Sequence, residues 1–127
     1  MPDYSVFEYA VIRYVPKVER EEFINLGVIL YCRDQKFLEV RHQLSENRLK
    51  GFCPDVELPW LESQLNAFKN IAEGLKTGGP IGQLERSERF RWLTAKRSSV
   101  IQVSAVHPGI CRDARQTLER LFDQLVL

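Results

Sequence analysis

Tyr4 to Val15 is a run of aromatic and β-branched residues closed by Pro16, Ile24 to Arg33 is a second such run, and the almost wholly charged Lys17 to Glu22 separates them. Such side chains fit a pleated surface, and Pro16 cannot donate to a ladder, so the two runs read as strands joined by a solvent-facing turn. Strict alternation along the second run puts Ile24, Leu26, Val28 and Leu30 on one face and Asn25, Gly27, Ile29 and Tyr31 on the other. An asparagine and a glycine stand in a row that burial would fill with aliphatic groups. Glycine inside a strand marks a bulge or a close approach to the backbone, and antiparallel pairing of the two strands brings Arg13 to the same face. Arg13, Asn25 and Gly27 thus form a candidate notch for an anionic or amide-bearing group. The competing reading is a bulge whose Asn and Arg satisfy local backbone groups.

The rest of the chain alternates pattern. Asp34-Gln35 breaks the second strand from a third, Lys36 to His42, in a hairpin that lacks the usual turn glycine. Ser45 can cap a short helix to Phe52. Leu58, Leu61, Leu65, Phe68, Ile71, Ala72 and Leu75 recur at helical spacing and predict an amphipathic helix to about Lys76, stopped by Gly78-Gly79-Pro80. Leu84 to Lys96 predicts a shorter helix, Ser98 to Val106 a fourth strand, and His107-Pro108-Gly109 a turn. Asp113 can cap a last helix with Leu118, Leu121 and Phe122 on its apolar face. The pattern predicts a single α+β domain over 1–127: a mainly antiparallel sheet of about four strands with two or three helices packed on one face. Leu61, Leu65, Phe68, Leu118, Leu121 and Phe122 are all expected against that face.

Eighteen basic and seventeen acidic residues leave a net charge of +1, which argues against nucleic acid as the main partner. Three scattered cysteines and two histidines make neither a disulfide framework nor a metal-ligand spacing, so no metal and no cofactor are expected. No apolar run reaches the roughly 18 residues of a membrane span. Without a signal-like N-terminal run, a cytoplasmic protein is the expectation.

Arg86, Arg89, Arg91, Lys96 and Arg97, interleaved with Phe90 and Trp92, carry the composition of a single-strand nucleic-acid binder. The same residues also fit a solvated helix face, with arginines paired to Glu85 and Glu88 and Phe90, Trp92 and Leu93 turned inward. Acid–base chemistry would fall to Glu21, Glu22, His42, His107 or Asp113, none at a diagnostic spacing, so no catalytic residue is assigned and a non-enzymatic role is favoured.

Tyr9-x-x-x-Arg13-Tyr14-x-Pro16, Arg20-Glu21-Glu22-Phe23-x-Asn25-x-Gly27-Val28 and Arg91-Trp92-Leu93-Thr94-x-x-Arg97-Ser98-Ser99-x-Ile101 resemble the bacterial domain-of-unknown-function family 3037. The resemblance adds Arg97 and Ser98 to Arg13, Asn25 and Gly27 as ligand- or partner-binding candidates. It also implies a kinase-like partner similar to the HipA toxins, and hence a regulatory, protein-binding module. The alternatives are a nucleic-acid module using Arg86 to Arg97, and a phosphate-ester enzyme or nucleotide binder using Arg13, Asn25 and Arg97.

Overall fold

The two leading runs fold as β1 (Ser5–Tyr14) and β2 (Ile24–Cys32), antiparallel, with Glu8 opposite Tyr31 and Tyr14 opposite Ile24. They are the centre of the sheet in this computed structural model, which describes residues 3–97 and 99–127 and, among these, every side chain except that of Val18. The turn into β3 (Phe37–His42) runs from Arg33 to Lys36, longer than the expected Asp34-Gln35 break. Lys36 supplies the left-handed residue that glycine would otherwise provide, at a φ of 52°. Gln35 then ties the turn down: its amide nitrogen donates to the Arg112 carbonyl (2.9 Å) and its oxygen accepts from the Ala114 N–H (2.8 Å).

Between β1 and β2, Ile12 pairs with Gly27 and Arg13 with Asn25, which leaves Leu26 as the extra residue of a β-bulge. The bulge corrects the strict alternation. Ile24 and Leu26 share the face of Ile29 and Tyr31, whereas Asn25 turns to the face of Val28 and Leu30.

The helices are α1 (Glu46–Phe52), α2 (Leu58–Glu73), α3 (Arg86–Leu93) and α4 (Ala114–Leu125), and two further strands, β4 (Ile101–Val103) and β5 (His107–Cys111), precede α4. Ser45 caps α1 and Asp113 caps α4, as expected. The sheet has five strands rather than about four, in the order β3-β2-β1, with β4 and β5 sharing the far side of β1. His107-Pro108-Gly109, expected as a turn, is the start of β5, where an edge position tolerates a proline. β4 pairs with the C-terminal half of β1 and β5 with its N-terminal half. Ser104 bridges the break: its N–H donates to the Val11 carbonyl (2.9 Å) and its hydroxyl accepts from the Val11 N–H (2.8 Å).

Helices cover both faces of the sheet, not one. Leu61, Leu65 and Phe68 of α2, with Phe90 and Leu93 of α3, pack on Ile12, Ile29, Leu38 and Val40, while Leu118, Leu121 and Phe122 of α4 pack on Phe7, Val28, Leu30 and Cys32. The reason lies in β2, which is apolar and buried from Leu26 to Leu30 without a polar residue, the signature of a strand covered on both sides.

α2 stops at Gly74 (φ 70°), ahead of the expected Gly78-Gly79. Leu75 consequently lies outside the helix, 43% exposed. Buried Tyr14 packs edge-on against Phe52, with ring centroids 6.4 Å apart. Burial, and then the neighbouring Cys53 thiol, push its phenol up to about 12. The folded state therefore keeps a proton that the unfolded chain releases near pH 10, so this contribution to stability is lost as pH rises from about 10 to 12. Tyr14→Phe removes that dependence. Wild type is expected to lose about 2–3 kcal/mol relative to the variant across this interval in urea titrations.

Candidate functional site

The sequence-derived notch is only partly assembled. Arg13 and Asn25 are cross-strand partners on the α4 face. The Arg13 guanidinium lies 4.1 Å from the centroid of the Phe23 ring, and Arg13 Nε and Asn25 Oδ1 are both buried without a hydrogen-bond partner among the described residues. The Asn25 amide nitrogen donates to the Leu125 carbonyl (2.9 Å) at the end of α4, and Arg48 donates to the next carbonyl, that of Val126 (2.6 Å). These two donors satisfy helix-end carbonyls that have no partner within the helix. Gly27 belongs to the other face, and its φ is not positive. A Cβ on it would meet the Arg41 carbonyl oxygen at 2.7 Å and His42 Cβ at 2.9 Å, so β3 takes the space.

Arg97 lies apart from the notch. Its guanidinium donates to the carbonyls of Leu93 (2.7 Å), Trp92 (3.0 Å) and Ala95 (3.1 Å), closing the end of α3, and sits near the rings of Phe68 and Trp92. Phe68 belongs to the α2 face, opposite the α4 face that holds Arg13 and Asn25. Ser98 lies outside the described residues.

The basic run is likewise divided. Arg89 is 7% exposed, not solvated, and pairs with neither Glu85 nor Glu88: its Nη1 donates to the Ile71 and Ala72 carbonyls (3.2 Å each) in the last turn of α2. Burial and then Arg86 lower its pKa. Trp92, expected inward, is 42% exposed, while Phe90 and Leu93 are buried. The acid–base candidates are scattered. His42 ends β3, where burial and then Lys69 lower its pKa; His107 begins β5 beside the Tyr9 ring; Asp113 caps α4; Glu21 and Glu22 occupy the β1–β2 connection. Among the described residues no three His, Cys, Asp or Glu side chains gather closely enough to hold a metal ion, and no helix is long and apolar enough to cross a membrane.

A concavity of about 940 Å³ lies elsewhere, between α3 and the sheet. Val6, Glu8 and Tyr31 form its floor; Glu85, Arg86, Ser87, Arg89 and Arg91 form one wall; and Arg33, Asp34 and Lys36 of the β2–β3 turn close one end. Tyr31 stacks on Phe90, with centroids 5.3 Å apart, which fixes α3 above β2. Beyond that wall the sheet lies bare: Val6 is 63% exposed and its cross-strand partner on β5, Ile110, is 69% exposed. Five of the lining residues are basic and three acidic.

Nothing in the sequence marks this groove. Val6 and Ile110 look like any core-facing strand residue, and only the placement of α3 over β2 shows that no described residue covers them. No curated protein and no solved structure matches the chain. The family model described as a protein of unknown function, DUF3037, matches residues 9–126. Nearly the whole chain, from the middle of β1 to the end of α4, therefore belongs to that family.

Proposed function

We propose that this protein is a non-catalytic binding module that docks a partner protein on the bare β1–β5 face and in the groove beside α3. The observation that carries this reading is the Val6–Ile110 pair, two apolar side chains side by side on an open sheet face at the mouth of a charged groove. Isolated exposed apolar residues are ordinary, but a contiguous pair on a sheet, bordered by polar side chains, has the composition of an interface core with its rim. The kinase-like protein implied by the family resemblance is the candidate partner, and modulation of that protein is the proposed role.

The test is binding of the purified chain to the candidate kinase-like partner by titration calorimetry, with wild type against Val6→Glu and Ile110→Glu. Both positions are exposed, so each variant is expected to keep the wild-type melting temperature within about 2 °C. A glutamate buried at the centre of an interface is expected to weaken binding about a hundredfold or more. A complex indifferent to both substitutions would place the interface elsewhere. Arg13 and Phe23 would then be the next residues to test, because the Arg13 guanidinium is stacked on a half-exposed ring with one buried donor unpaired.

A further inference from the structure

From the spacing of the layers we infer that the docked segment is an amphipathic helix with acidic flanks, lying beside α3 and over β1 and β5. This rests on the docking reading above. Neighbouring strands are about 4.8 Å apart, whereas helices packed side by side on a sheet lie about 8–10 Å apart. One helix spacing therefore equals two strand spacings. Phe90 seats α3 above Tyr31 of β2, so the next helix in that layer is centred two strands away, toward the edge strand β5. That position holds the bare Val6–Ile110 pair, with Pro108 exposed on the same side of β5. The layer made by α2 and α3 is thus one helix short, and the sheet presents the apolar strip that such a helix would cover.

Charge gives the flanks their sign. On the groove side, Arg86 and Arg91 of α3 and Arg33 and Lys36 of the turn outnumber Glu8, Asp34 and Glu85. Arg89, which also borders the groove, is already held by the α2 carbonyls. A helix with carboxylates toward α3 and the turn faces Arg86, Arg91, Arg33 and Lys36, each exposed pair contributing a few tenths of a kcal/mol, while a basic helix finds only Glu8, Asp34 and Glu85 and is repelled by the four cations. An extended strand added to the edge of β5 would leave the groove beside α3 unfilled.

The test uses three synthetic peptides, each about 18 residues long. One has a leucine stripe with glutamate flanks, the second has lysine in place of every glutamate, and the third is the glutamate peptide with a central proline. Each is titrated into the ¹⁵N-labelled chain and followed by amide chemical shifts. The glutamate peptide is expected to move Glu8, Tyr31, Arg91 and Ile110, to bind about threefold tighter than the lysine peptide, and to lose binding on introduction of proline. Equal or tighter binding of the lysine peptide overturns the acidic assignment. Equal binding of the proline peptide overturns the helix in favour of an extended segment. Shifts at none of these residues with any peptide, or self-association of the chain that Ile110→Glu abolishes, overturn the inference as a whole. If no peptide binds but Ile110→Glu still breaks the complex with the kinase-like protein, the helix fails and the docking reading stands; if neither effect is seen, both fail.

Discussion

Gly27→Val is expected to destabilise the protein by about 3 kcal/mol, enough to lower the melting temperature by roughly 10 °C in a domain of this size. The cause is the neighbouring strand. A Cβ at position 27 would stand 2.7 Å from the Arg41 carbonyl oxygen, a backbone atom that cannot rotate away, and 2.9 Å from His42 Cβ. The valine methyl groups extend further in the same direction. Relief requires β3 to move from β2, yet Leu38 and Val40 of β3 are held in the core under α2. Gly27→Ala, with the Cβ alone, is expected to cost less than valine but to remain destabilising. Thermal unfolding of both variants checks the order, and a valine variant as stable as wild type would show that β2 and β3 are not this close.

Arg89→Ala is expected to cost a similar amount, about 3–4 kcal/mol. The substitution leaves the Ile71 and Ala72 carbonyls without their shared donor and removes a positive charge from the C-terminal end of α2, where the helix dipole favours one. It also empties the space of a side chain only 7% exposed. Gly74 lies beside it: a Cβ there would collide with the Arg89 guanidinium, and its φ of 70° favours glycine independently. Arg89→Lys, which keeps the charge but not the planar fork, is expected to fall between alanine and wild type. Urea unfolding of the two variants is the measurement. An alanine variant within about 0.5 kcal/mol of wild type would return Arg89 to the solvated face that its sequence context suggests.

Much of the fold is legible in local pattern because its signals are local. The apolar recurrence from Leu58 to Ala72, the caps at Ser45 and Asp113 and the β-rich runs before Pro16 and after Glu22 each act within a few residues. The stop at Gly74 is equally local, a glycine in the left-handed cap conformation, but the apolar recurrence runs on to Leu75 and masks it. The bulge at Leu26 was half legible: Gly27 marked it, but a bulge moves every side chain before it to the other face, and so separated Asn25 from Gly27. Helices on both faces could have been read from the uninterrupted apolar stretch of β2. The split between β4 and β5 could not, since Ser104 closes that gap with a hydroxyl bond to Val11, far away in the chain.

The site was less legible than the fold. Asn25, Gly27 and Arg97 stand out in the sequence because they break a pattern, and each has work inside the molecule: capping α4, admitting β3 and closing α3. Val6 and Ile110 break no pattern. Their interest arises only because α3 stops short of them, a consequence of where Phe90 meets Tyr31.

The most direct measurement is site-specific photocrosslinking of the chain with the proposed kinase-like partner, with a photoreactive phenylalanine derivative placed in turn at positions 6, 110 and 13. Adducts are expected from positions 6 and 110 that map by mass spectrometry to one helical, acidic segment of the partner, and none from position 13. Adducts from position 13 alone, on the opposite face of the sheet, would contradict the docking reading.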